Sequence, residues 1–314
     1  MLIQSIVQSI IRPIARSVID PLIVGGGAPF NPASLFANGE QGAWYDPSDM
    51  TTLFRDNNGI VPVTASGQPV GLILDKRLGL VRGPELIANG DFSSPNLAGW
   101  TFVRVAGEVI GGELQLTTTK SGSPAAYYSL ATEIGKTYEV GFSFRKGTTP
   151  NANQFRIGST TQGTEYYSNL MTAAVALTLK FVALTTTSYI SMGYGETAEG
   201  QTSYWDNITF KLLSGNHATQ TTAASRPVLR DTPRRVDYDG IDDSLVTPFP
   251  SALGSACTVA RSIPAVGSQI LTGQTIGTSF TDSTDSCAVI IINRALTPRE
   301  TASVTSYLNK AAGL

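Results

Sequence analysis

The sequence opens one region with Gly83-Pro84-Glu85-Leu86-Ile87-Ala88-Asn89-Gly90-Asp91-Phe92, continues through Gly99-Trp100, and closes it with Tyr204-Trp205-Asp206-Asn207-Ile208-Thr209-Phe210. Between these ends, apolar and polar residues alternate in Glu113-Leu114-Gln115-Leu116, in Tyr138 to Phe144, in Leu177 to Val182 and in Tyr189-Ile190-Ser191-Met192. Successive strand side chains point to opposite faces, so a period of two marks half-buried antiparallel strands. Breaks at Gly111-Gly112, Ser121 to Pro124, Gly147 to Asn153 and Gly195 to Gly200 come at the spacing of a sandwich, not of strand-helix-strand units. Residues 84–213 therefore read as one complete β-sandwich.

The Asn-Gly-Asp-Phe turn leading to Gly-Trp, with a last strand of Asp-Asn-Ile-Thr-Phe type, resembles the carbohydrate-binding modules of the family 4/9 and 22 group. The resemblance covers this region alone. It implies a galactose-binding-like sandwich that grips a glycan with aromatic side chains. It also implies a structural calcium held by oxygens near the first and last strands, which maps to Asp91 and Asp206. The candidate glycan-binding rings are Tyr127, Tyr128, Tyr166, Tyr167, Tyr194, Tyr204 and Trp205. In an adjacent strand pair one ring points inward and the other outward, so about half of them belong to the core. Exposed rings stack on the apolar faces of sugars while neighbouring Asn, Gln and Arg bind the hydroxyls. Trp44 and Trp100 stand at motif positions that the related families bury.

Residues 31–83 begin a second unit that they do not complete. Gly42-Ala43-Trp44-Tyr45-Asp46-Pro47-Ser48-Asp49 gives a strand and a Pro-led turn, but about fifty residues with few apolar positions make a poor core alone. Further turn-and-strand sequences follow the insert: Asn216 to Gln220, Arg226 to Leu229, and Val236 to Leu245 with its Asp239-Gly240 turn. This motif order resembles bacterial and phage laminin G-like domains of the concanavalin A-like lectin class, which close on an Asn-Arg-x-Leu-Thr segment, here Asn293 to Thr297, and a helix. Thr297, Pro298 and Glu300 spell a helix N-terminus with a capping box. Ala302, Val304, Tyr307, Leu308 and Ala311 are expected to face the sandwich, and Gly313 to end the helix. The fold class is thus all-β: a split lectin-like sandwich (31–83 plus 214–314) with a jelly roll (84–213) inserted, and a short helix at each end. The short, Gly-, Ser- and Thr-rich segment Ser251 to Ala288 suggests a reduced host sandwich.

Residues 1–24 place Ile3, Ile6, Val7, Ile10, Ile14 and Val18 at helical spacing, with Gln4, Gln8, Arg12 and Arg16 on the other face. Charge lies inside the apolar run, unlike a signal peptide, and Arg12, Arg16, Asp20, Pro13 and Pro21 spoil a membrane span. A docking or oligomerising helix is expected, tethered by the Gly-rich hinge 25–30; the alternative is a helix packed on its own sandwich.

The formal net charge is −2, which gives no footprint for nucleic acid. The cluster Arg226, Arg230, Arg234 and Arg235 reads as a solvated face. Cys257 and Cys287 are free thiols or a single bridge between neighbouring strands. The one histidine, His217, sits in a predicted loop without a cysteine partner, which gives little support to a nucleophilic triad. Asp237, Asp239, Asp242 and Asp243 depart from the EF-hand spacing and read as a turn. Two function classes follow. The first, implied by the resemblance of the motif order to phage proteins and by the docking helix, is a non-enzymatic bacteriophage virion protein of tail- or head-fibre type, assembled in the host cytoplasm. It would be homotrimeric, docked to other virion proteins by its N-terminus, and would display lectin-like domains to host-surface glycans. The second is a tail-associated glycan depolymerase or esterase.

Overall fold

The computed structural model describes residues 29–195 and 198–314. The expected N-terminal helix, with Ile3, Ile6, Val7, Ile10, Ile14 and Val18, and the glycines Gly25 to Gly27 lie outside the described residues.

The described chain is all-β, with short 3-10 turns and one α-helix, Pro298–Ala311. Alternation builds the strands directly: in Glu113–Thr118, Leu114, Leu116 and Thr118 are buried while the residues between them are half-exposed. Two sheets draw strands from both ends of the chain. One runs Gly42–Tyr45, Val289–Ile292, Gly254–Ile263, Gly267–Ile276; the other runs Leu53–Phe54, Leu72–Ile73, Ala218–Thr219, Leu245–Pro248, Ser279–Asp282. Their shared core packs Tyr45, Leu53 and Ile73 against Ala218, Val259 and Ile291. The Ser251 to Ala288 segment supplies two ten-residue strands that pair with each other. Both cysteines are buried and free.

Val228–Arg230 and Arg235–Asp237 pair as a two-stranded sheet, and residues 82–213 form two further sheets. The first runs Tyr167–Met171, Asn153–Gly158, Thr187–Tyr194, Ala125–Ala131, Trp100–Val103. The second runs Val175–Val182, Thr137–Lys146, Thr202–Leu213, Glu113–Thr118, Val105–Ile110, with Arg82–Glu85 added against Thr202–Leu213. Their core is aromatic: Phe142 stacks on Phe155 at 3.8 Å, and Trp205 lies 4.8 Å from Phe144.

The Asn-Gly-Asp-Phe turn is stitched to the last strand by backbone. The Ile208 N–H donates to the Gly90 carbonyl at 2.8 Å, and a Cβ on Gly90 would stand 1.9 Å from the Ile208 carbonyl oxygen. Gly99 likewise leaves room for the Tyr128 ring, which would lie 2.5 Å from a Cβ there, and its φ of 89° favours glycine.

The two pairs of sheets meet at Asn58. Its carbonyl accepts the Lys180 N–H at 2.6 Å and its Nδ2 donates to the Lys180 carbonyl at 3.2 Å, which covers part of the edge of Val175–Val182. The buried Lys180 ammonium then lies 3.7 Å from Glu139 and 4.6 Å above the Phe54 ring.

The C-terminal helix opens with the Thr297–Glu300 capping box and Pro298 in its first turn. It packs through Val304 and Leu308, with Trp44 Nε1 donating to Tyr307 Oη at 3.0 Å. Ala302, expected to face the sandwich, is exposed, because the contact stripe follows Val304 and Leu308 one turn apart.

Candidate functional site

The inserted sandwich turns one face of the sheet Tyr167–Met171 to Trp100–Val103 outward. Phe155, Ile157, Ile190, Met192, Ala126 and Leu130 belong to the core, so the residues between them face away from it. Cross-strand register then sets Arg156 beside Ser191, Ser191 beside Tyr127 and Tyr127 beside Thr101 in one row. Tyr189 stands diagonally across from Tyr127, at about the 7–8 Å separation that suits large rings. Both tyrosines are half-buried.

Arg156 is held in place from two sides. Its Nη1 donates to Gln162 Oε1 at 3.1 Å and its Nη2 to Gln154 Oε1. The turn that carries Gln162 is anchored to the same sheet, because the Gln162 N–H donates to Ser191 Oγ at 3.0 Å. Burial pushes the Arg156 guanidinium pKa down, and no carboxylate among the described residues pairs with it. Two rings, a guanidinium and two amides therefore share one face, partly covered where the Gln162 turn buries Ser191 and Glu165 lies over Gly158, and rings beside amides and a guanidinium are the equipment of a sugar-binding platform.

No family profile matches the sequence, and no curated protein matches it either. Its structural neighbours are β-sandwich carbohydrate-binding modules. One is a family 4 module, 21% identical, matching 40% of this chain and 99% of that chain with a TM-score of 0.34. Another is the family 22 xylan-binding domain of Paenibacillus barcinonensis Xyn10C, 14% identical over 42% of this chain and 97% of that chain, TM-score 0.33. The enzymatically active domain of bacteriophage CBA120 tailspike protein 4 is 12% identical over 41% of this chain and 21% of that chain, TM-score 0.29. What each neighbour binds or cleaves belongs to that neighbour.

The seven candidate rings fall in different places. Tyr127 lies on the platform. Tyr128 points the other way and meets Trp100 edge-on at 5.2 Å, while Tyr167 packs against the same core. Tyr166 is buried, stacks on Phe181 at 4.8 Å, and its hydroxyl accepts the Leu184 N–H. Trp205 is 0% exposed at the centre of the core, so neither it nor Tyr166 offers a face to a ligand. Tyr204 is on the opposite sheet, covered by the Arg145 guanidinium at 3.5 Å, which in turn pairs with Glu113. The Tyr194 side chain lies outside the described residues. The ring that sequence reasoning passed over is Tyr189. Its signal was present: in Tyr189-Ile190-Ser191-Met192 the apolar pair Ile190 and Met192 takes the core and sends Tyr189 outward.

Asp91 and Asp206, the residues expected to hold calcium, are each hydrogen-bonded within their own turn. Asp91 Oδ1 accepts the Ser93 N–H and hydroxyl, and Asp206 accepts the Asn207 N–H and Nδ2, so each carboxylate serves its own turn. Among the described residues the one acidic triplet is Asp239, Asp242 and Asp243. There Asp239 Oδ1 accepts the N–H groups of Ile241, Asp242 and Asp243 and acts as a turn cap.

Two further places are concave. A cleft of about 270 Å³ at the Asn58 junction contains one carboxylate, Glu165, among apolar and amide groups. On the opposite sheet a shallow hollow floored by Gly141, Ser143, Thr178 and Thr209 presents no exposed ring. His217 is wholly buried: its Nδ1 accepts the Asp75 N–H at 2.9 Å, and Nε2 faces Leu213 without closing a hydrogen bond. Desolvation holds its pKa down to about 3, so it is a neutral structural group. In the basic cluster, Arg230 and Arg235 pair with Asp237, Arg234 with Asp231, and Arg226 donates to carbonyls.

Proposed function

We propose that this protein is a non-enzymatic glycan-binding component of a bacteriophage particle, and that the Tyr127 face is its binding surface. The observation that carries the binding reading is the pairing of outward Tyr127 and Tyr189 with Arg156, Gln154 and Gln162 on one open sheet face. Stacking supplies affinity without sequence-like readout, and the polar groups select hydroxyl patterns. The five strands of this face contain no Asp or Glu, and Glu165, which lies over Gly158, gives it one carboxylate and not the pair that cuts a glycosidic bond. The buried neutral His217 is likewise unsuited to activate a nucleophile.

The particle setting is supported by the motif order shared with phage laminin G-like domains and by the apolar stripe Ile3 to Val18. On this reading the stripe docks into another virion protein or bundles into a trimer, and the glycan is one displayed by the host cell.

Binding is tested by titrating the full-length protein with purified host-surface polysaccharide. Tyr127→Ala with Tyr189→Ala is expected to remove binding while the protein still folds and melts cooperatively. Unchanged binding in that double variant overturns the assignment. New reducing ends during incubation would make the protein a depolymerase instead. Labelled antibody in electron micrographs of particles, and light scattering of the full chain, test the virion and trimer proposals.

A further inference from the structure

Arg156 stands apart from most arginines of this protein. Arg77, Arg82, Arg145, Arg261 and Arg294 each reach a carboxylate within 3.2 Å. Arg156 is held by two neutral amide oxygens, from Gln154 and Gln162, which orient the guanidinium but leave its charge uncompensated. It is half-buried, so water compensates that charge only in part.

The surroundings share this bias. The strands Tyr167–Met171, Asn153–Gly158, Thr187–Tyr194, Ala125–Ala131 and Trp100–Val103 contain no Asp, Glu or Lys, and Arg156 is their one charged residue. The opposite sheet carries both signs, with Glu113 and Glu139 beside Arg145, Lys180 and Lys211. A carboxylate does lie over this face, Glu165 above Gly158, but it accepts the Ser159 N–H and hydroxyl and forms no ion pair with Arg156, so the oriented cation is left to meet an oxyanion.

We propose that the glycan bound by the Tyr127 face carries an anionic substituent, a carboxylate or a sulfate or phosphate ester, and that Arg156 grips it; this rests on glycan binding at that face. Arg156 and Tyr127 occupy one row two strands apart, roughly 10 Å at the usual strand spacing. Ser191 between them is buried beneath the Gln162 backbone, so a sugar stacked on Tyr127 would reach the guanidinium fork across that turn with its own or its neighbour's substituent. Gln154 and Gln162 each occupy one terminal nitrogen, and the remaining N–H groups are available to make paired bonds to two oxygens of the anion. A neutral sugar would leave the cation uncompensated, and that difference is the source of selectivity.

The test is calorimetric titration of the full-length protein with polygalacturonate, alginate and hyaluronate, each beside its carboxyl-reduced form, and with dextran sulfate and poly(glycerol phosphate) beside dextran. At least one anionic polymer is expected to bind about tenfold or more tighter than its neutral counterpart. Arg156→Gln should erase that difference by weakening the charged form more than the neutral one, and Arg156→Lys should restore part of it, because a point charge replaces the fork. The uronate and ester arms identify the anion.

Equal binding of charged and neutral forms, or an Arg156→Gln variant that still discriminates, overturns the inference and leaves the binding face standing. If Tyr127→Ala with Tyr189→Ala binds every polymer unchanged, the face itself is wrong. Binding of none of the polymers overturns both.

Discussion

Asp75 and Asn216, 141 residues apart in sequence, are joined inside the protein: the Asp75 carboxylate accepts the Asn216 N–H at 2.8 Å. The same carboxylate accepts the Trp44 N–H and both the N–H and Nε of Arg77. It is wholly buried and ties the chain entering the inserted sandwich to the chain leaving it. Removing it would strand four donors, one of them charged. Asp75→Ala is expected to cost about 3–5 kcal/mol, the usual penalty for breaking a buried pair, read as a lower urea midpoint. A loss below about 1 kcal/mol would show that the strands alone hold the junction.

His217 predicts a pH dependence. Its folded pKa is about 3 against 6.5 for the free group, so between these values the folded state binds fewer protons than the unfolded one. Its stabilising contribution is complete above pH 6.5 and is lost as pH falls toward 3, at no more than roughly 1.4 kcal/mol per unit. Asp75 and Asp282, whose carboxyl pKa values are raised by burial, oppose this at the acid end. Denaturation at pH 7.5, 6 and 5 should give falling midpoints. His217→Gln, which can still accept the Asp75 N–H, should flatten the slope; an unflattened slope would assign the effect to the carboxylates.

Neighbouring aromatic residues should behave oppositely. Trp205→Ala removes a wholly buried ring touching Phe142, Phe144 and Phe155, at a cost of about 3–5 kcal/mol. Tyr127→Ala, on the open face, should cost under about 1 kcal/mol and act on binding alone. Thermal melts and titrations on the same samples separate the two.

Gly90→Ala should destabilise by about 1–3 kcal/mol, since its methyl group would overlap the Ile208 carbonyl. Because backbone joins these two segments, calcium or a chelator should move the wild-type melting temperature by less than about 1 °C. A larger calcium-dependent rise would place a metal at Asp91 and Asp206 after all.

Residues 82–213 hold their own core, so this fragment is expected to melt cooperatively when expressed alone. Residues 29–81 should not: their Tyr45, Leu53 and Ile73 pack against Ala218, Val259 and Ile291. A sigmoidal melt of the shorter fragment by circular dichroism would contradict the split sandwich.

Much of this fold is written locally. The buried Leu114 and Leu116 follow from a period of two, and the capping box at Thr297 and Glu300 from spacing within one helical turn. Such signals need only a residue and its near neighbours. Alternation also required that Tyr127 and Tyr128, or Tyr204 and Trp205, point to opposite sides. It did not say which member of each pair is inside, because that depends on the register with distant strands and on which face finds a core. Packing put Trp205 among Phe142, Phe144 and Phe155, and sent Tyr204 under Arg145. The proposed binding face was decided at the same level. Tyr189 and Arg156 are separated by more than thirty residues and meet Tyr127 only through strand pairing, and the absence of a carboxylate partner for Arg156 is a property of what surrounds it in space. Side-chain direction is a local consequence of backbone geometry, whereas burial and charge pairing are sums over neighbours that only the folded chain brings together.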